Sequence, residues 1–122
     1  YAFLAGSDKP RSYEFLAELA DAPVDEISIE AAQPALELGV LELLKNKSIA
    51  LGVLDHSQAQ AEPVEVVVRR VRAALEFVSP ERLLPAPDCG MKYMTRDIAF
   101  ARLRSLGEAA RIVRQQLTGT QA

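Results

Sequence analysis

The chain has 122 residues, 49% hydrophobic and 25% charged, an ordinary globular composition with enough apolar side chains for one core. Its 14 Lys and Arg stand against 17 Asp and Glu, a formal net charge of -3, which excludes a global electrostatic pull toward nucleic acid or an anionic membrane. One Cys cannot build a disulfide framework, no run reaches the ~18 apolar residues of a membrane span, and no secretory signal pattern opens the chain, so a reducing cytoplasm is the expected compartment.

Tyr1 to Arg11 carries Gly6 and Pro10 without periodicity and reads as a loop. Ser12 is placed to cap a helix whose apolar stripe is Phe15, Leu16 and Leu19, stopped by Pro23. Ile27-Ser28-Ile29-Glu30 reads as a short β-branched strand ending on a carboxylate. Leu36, Val40, Leu41, Leu43 and Leu44 then fit a helix from Pro34 to Lys47. The apolar run Ile49 to Leu54 does not alternate, as expected of a strand covered on both faces of a parallel sheet, and it breaks at Asp55-His56-Ser57. Val64, Val67, Val68, Val71, Leu75 and Val78 recur at helical spacing and predict an amphipathic helix over Glu62 to Val78. Two prolines in Leu83-Leu84-Pro85-Ala86-Pro87 argue for a brief or irregular strand, followed at once by Asp88-Cys89-Gly90-Met91-Lys92. Thr95 or Asp97 opens a last helix with Ala99, Leu103, Leu106, Ala110, Val113 and Leu117 on its apolar face.

Strands alternating with helices imply right-handed crossovers and a parallel sheet, an α/β fold without an internal domain boundary. Glu30, Asp55-His56-Ser57 and Asp88-Cys89 all fall at C-terminal strand ends, where parallel α/β architectures gather their chemistry. Cys, Glu and His are zinc-binding side chains, and a catalytic zinc commonly takes three protein ligands and keeps one position open. Taken singly, these residues have plainer readings. Cys89 could be a buried small hydrophobe, Glu30 a surface charge or helix cap, and His56 a loop imidazole bonded to backbone. A Ser-His-Asp hydrolase reading fails because neighbours on one extended segment point to opposite faces, so Asp55 and Ser57 cannot both meet the His56 ring. Neither a Gly-x-Ser-x-Gly elbow nor a Gly-rich phosphate loop occurs. Arg69, Arg70 and Arg72 read as the solvated face of a helix, with no interleaved aromatics for base stacking.

The ordered set Ile27 to Glu30, Leu54-Asp55-His56-Ser57 and Pro87-Asp88-Cys89-Gly90-Met91-Lys92 resembles the C-terminal part of the cobalamin-independent methionine synthase family. Its most specific segment is Pro-Asp-Cys-Gly-x-Lys. The resemblance runs from about Ser12 to the end and implies the last three β/α units of a TIM (β/α)8 barrel, incomplete in this chain, since a whole barrel needs about 250 residues. It implies that Glu30 and Cys89 ligate a catalytic zinc and that His56 donates a proton, with Asp55 expected to favour the charged imidazole. The implied reaction moves the N5 methyl group of 5-methyltetrahydrofolate to the sulfur of homocysteine, forming methionine. These two small molecules are then the expected partners, with neither nucleic acid nor a membrane among them.

The family completes its zinc site with a His-x-Cys pair at the preceding strand end. No such pair occurs here, and because the resemblance puts Tyr1 in the loop just after that strand, the pair is expected just upstream. Two departures resemble the shorter synthase-like paralogues more than the two-domain enzymes: Asp55 directly precedes His56, and Ala86 stands where the long forms usually carry Asn. Three alternatives stay open: a zinc alkyltransferase using another thiol or donor, a non-catalytic interaction module of the same fold, and a metal-free barrel lyase or isomerase. Roughly three-eighths of a barrel leaves strand edges to cover, so the chain is expected to pair with copies or with the remaining barrel segments, and to be inactive as an isolated monomer.

Overall fold

The computed structural model describes residues 12–119, so the expected loop Tyr1 to Arg11 lies outside the described residues. A short helix α1 (Leu16–Leu19) leads to strand β1 (Glu26–Ile29), a 3₁₀ segment (Leu38–Leu44), strand β2 (Ser48–Leu54) and helix α2 (Val64–Leu75). A 3₁₀ turn (Pro80–Arg82), strand β3 (Leu83–Pro87) and helix α3 (Arg96–Thr118) complete the order. The strands form one parallel sheet, β1-β2-β3, with Ile29 opposite Leu51 and Ile49 opposite Leu83. Spatial order equals chain order, as in successive units of a β/α barrel, and this part-barrel is the α/β architecture that the strand-helix alternation predicts.

β2 is the middle strand and the centre of the core, with Ile49, Leu51, Val53 and Leu54 each no more than 1% exposed. Burial on both faces accounts for the lack of alternation in this run. Val67, Val71 and Ala74 of α2 and Ala109 and Val113 of α3 join the same cluster. Against β3 the register shifts between Gly52 and Leu54, an irregularity consistent with Pro85 and Pro87, which cannot donate to a ladder. No helix among the described residues is long and apolar enough to cross a membrane.

Five expectations need correction. The first helix is a single turn rather than a Ser12-capped element. The chain enters it through a bond from Leu16 N to Tyr13 O (3.1 Å), which leaves Ser12 outside and Phe15, largely exposed, at the cap. The expected helix Pro34 to Lys47 is a turn followed by the 3₁₀ segment. Ala35 takes a left-handed φ of 48°, and Leu36 N bonds back to Ala31 O (3.1 Å), so an α-helix cannot propagate from Pro34. Of the apolar residues in that segment only Leu41 and Leu44, three apart, are buried, so a three-residue period is what meets the core; Leu43 is 52% exposed.

The buried face of α3 matches the expected one only in part, at Val113 and at Leu106, which packs against the core. Arg102, Ala109 and Val113 are buried, whereas Leu103 and Leu117 are about half exposed. The arginine-rich face of α2 is likewise not wholly solvated. Arg70 Nη1 donates to Val53 O (2.8 Å) and to Glu62 Oε1 (3.1 Å), while Arg72 reaches Gln116 on α3. Glu62, expected within α2, lies before it, because Pro63 caps the helix and Val64 begins it.

Candidate active site at the carboxyl ends of the strands

Three adjacent parallel strands end side by side, and each hands its next residues to the same rim. Glu30 follows the last residue of β1 directly, His56 comes two residues after β2, and Cys89 two residues after β3; all three are half-buried. The side chain that joins these ends is Asp88, which is buried. Its Oδ1 accepts from Ala31 N (3.1 Å) and Ala32 N (3.0 Å), and its Oδ2 from Gln33 N (2.7 Å). Glu30 and Cys89 are therefore the residues that flank a hydrogen-bonded bridge from the end of β3 to the end of β1.

The bridge crosses β2, and it can do so because position 52 is glycine. A Cβ on Gly52 would lie 2.0 Å from Asp88 Oδ1 and 2.8 Å from Asp88 Cα. Asp88 N donates to Leu54 O (3.2 Å) and carries the pairing of β2 with β3 past the irregularity to the rim. Burial pushes the Asp88 carboxyl above its ordinary value; the amides of Gln33, Ala32 and Ala31 oppose this, and the charge of Glu30 adds to it.

The loop carrying His56 is tied down from beneath. Glu62 is buried, and its Oε1 accepts from Asp55 N while its Oε2 accepts from Arg102 Nη1 (3.1 Å). Arg102, 1% exposed, also donates to Asp55 O (2.8 Å) and to Gln58 O. The buried α3 arginine thus holds the carbonyls on both sides of His56. Both ring nitrogens of His56 are buried without a hydrogen-bond partner among the described residues. Burial, and then the positive charge of Arg102, pulls its pKa below the ordinary value of 6.5, against the opposing charges of Asp88, Glu62 and Asp55. Asp55 does favour the charged imidazole, as expected, but burial and Arg102 outweigh it.

Asp55 is engaged elsewhere. Its Oδ1 accepts from Ser57 N (2.8 Å) and Ser57 Oγ (2.6 Å), which bears out the rejection of a triad. Burial opposes its ionisation, but the Ser57 hydroxyl and amide, the Gln58 amide and the charge of Arg70 together hold the carboxyl below its usual value.

Residues 9–112 match the sequence profile of the family described as cobalamin-independent synthase, catalytic domain. The chain belongs to this family. A methionine synthase of Pyrococcus horikoshii is 34% identical over 108 residues, covering 87% of this chain and 32% of that protein. One from Saccharolobus islandicus is 36% identical over 110 residues, covering 86% of this chain and 32% of its own. Among solved structures, a B12-independent methionine synthase from a Shewanella strain, in complex with selenomethionine, superposes with a TM-score of 0.85 at 28% identity. That superposition covers 90% of this chain and 33% of the Shewanella chain. The chain spans about a third of the length of the curated relatives it matches.

Within this synthase-family segment, sequence reasoning placed Glu30, His56 and Cys89 at strand ends, and there they lie. It missed the residues that hold them. Gly52 had a usable signal, since a lone glycine inside a buried strand often marks a close approach by another group. Asp88 stood inside the quoted motif without a role. Arg102 carried no signal, because an arginine on an amphipathic helix ordinarily reads as solvated. Among the described residues no three Asp, Glu, His or Cys side chains gather closely enough to hold a metal by themselves.

Proposed function

We propose that this chain forms one side of a zinc-dependent methyl-transfer site that moves the N5 methyl group of 5-methyltetrahydrofolate to the thiol of homocysteine, giving methionine. The observation that carries this reading is the placement of Glu30 and Cys89 on either side of the Asp88 bridge, with His56 just beyond the end of the strand between them. Family membership and the methionine synthases among its relatives support it. The donor set fits zinc in kind, a soft thiolate sulfur with a harder carboxylate oxygen, but two donors fall short of the usual three. Glu30 and Cys89 would hold the metal together with a His-x-Cys pair that these 122 residues do not contain.

Bound zinc would supply a deprotonated, localised thiol at neutral pH in place of one whose ordinary pKa is about 8.5. The residues of this chain handle the other half of the reaction. As the sulfur–carbon bond forms, the N5–carbon bond breaks and its electron pair remains on N5. A tertiary amine leaves poorly unless N5 carries a proton, and His56 is assigned to deliver it. Its ring nitrogens are not consumed by hydrogen bonds among the described residues, and an imidazolium of depressed pKa gives up its proton more readily than an ordinary one. Arg102 and Glu62 fix the loop so that the ring stays at the rim.

The test is methionine formation by the protein expressed from its complete reading frame, with a panel of thiols and methyl donors alongside homocysteine and 5-methyltetrahydrofolate. The expected result is turnover with that pair and a loss of about 100-fold or more in His56→Asn, at unchanged zinc content. Turnover confined to another thiol or donor would move the assignment to a different alkyl transfer, and normal turnover by His56→Asn would remove the histidine from the chemistry.

A further inference from the structure

We propose that Asp88 and Gly52 form a positioning device that sets the separation of Glu30 and Cys89, so that Asp88 shapes the metal site without touching the metal. This rests on the reading of Glu30 and Cys89 as ligands. Each candidate ligand is one peptide bond from the bridge: Glu30 precedes Ala31, whose amide Asp88 accepts, and Cys89 follows Asp88. Three amides converge on one buried carboxylate, so a change in the length or charge of that side chain moves the end of β1 relative to the end of β3. The central strand sets the height at which the carboxylate crosses, because any side chain at position 52 meets Asp88 backbone as well as its oxygen.

The geometry separates two substitutions. In Asp88→Asn the side chain keeps its length but presents an amide NH₂ group where a carboxylate oxygen accepts from Ala31 and Ala32 or from Gln33, so one side of the bridge loses its acceptor. In Gly52→Ala the carboxylate stays intact and is displaced. A role confined to holding the fold together predicts lower stability in both, with the metal site unchanged in whatever fraction remains folded. A positioning role predicts a weakened site in protein that is still folded.

The experiment uses the protein from its complete reading frame. Zinc affinity is measured by competition with a chromogenic chelator, the absorption spectrum of the cobalt-substituted protein is recorded, and unfolding of the metal-free protein is followed in parallel. The expected result is a drop of about tenfold or more in zinc affinity and an altered cobalt spectrum in Asp88→Asn and Gly52→Ala, in samples that remain folded. Hydrogen exchange of the Ala31, Ala32 and Gln33 amides in the unmodified protein gives a readout independent of any variant, and zinc loading should slow it. Unchanged affinity and spectrum in folded Asp88→Asn, or exchange at those amides indifferent to zinc, overturns the proposal. If the unmodified protein takes up no zinc, the ligand assignment itself fails, and the proposal with it.

Discussion

Arg102 Nη1 lies 3.1 Å from Glu62 Oε2, and the two side chains are 1% and 5% exposed. Removing one partner of a buried pair leaves the other charge uncompensated and typically costs 3–5 kcal/mol, far more than an exposed pair contributes. Here the loss is compounded, since Arg102 also satisfies the carbonyls of Asp55 and Gln58. Arg102→Ala should therefore lower stability by about 3 kcal/mol or more, read as a shift in the urea midpoint. A surface pair gives the internal control: Arg111→Ala breaks only the exposed pair with Glu108 and should have little effect. Equal, small effects from both substitutions would contradict the role assigned to Arg102.

The His56 ring contributes a pH dependence with a definite sign. Its folded-state pKa lies below the ordinary 6.5, so at intermediate pH the unfolded chain binds the proton that the folded chain refuses. The contribution is fully present above about pH 6.5 and is lost as the pH falls through the window between 6.5 and the lower folded value. With chelator present, the urea midpoint of the unmodified protein should fall more between about pH 7 and about pH 5 than that of His56→Gln. Parallel curves would show that the ring is not held in a neutral-favouring environment.

Ala35 offers a prediction in the stabilising direction. It is an exposed residue held at a φ of 48°, where a Cβ is unfavourable by roughly 1 kcal/mol and glycine is not. Ala35→Gly should raise stability by about 0.5 kcal/mol, the relief of strain exceeding the added backbone entropy of the unfolded chain. A loss of stability would mean that the turn after β1 is relaxed with alanine in place.

The parts of the fold legible in the sequence are those that rest on periodicity. α2 and the uniform apolar run of β2 were readable because hydrophobic spacing reports burial directly, and the strand ends followed from where those runs break. The segment Leu38–Leu44 reads as helix in the sequence because Leu36, Val40, Leu41, Leu43 and Leu44 satisfy a helical template. The left-handed turn at Ala35, with Leu36 N bonded back to Ala31 O, decides against an α-helix there. Arg102 is absent from the expected face of α3 for a related reason: a guanidinium is buried only when distant carbonyls and a carboxylate are waiting for it. In the site, the candidate residues Glu30, His56 and Cys89 are visible in the sequence and the contacts around them are not, since a bridge such as Asp88 to Ala31 is defined by contact across strands.

The most direct measurement of the central claim is the metal content of the protein expressed from its complete reading frame, unmodified and as Cys89→Ala, after dialysis against a weak chelator. One zinc per chain in the unmodified protein, lost in a folded Cys89→Ala variant, is the predicted result. Absence of zinc from the unmodified protein, or equal zinc in both, would contradict it.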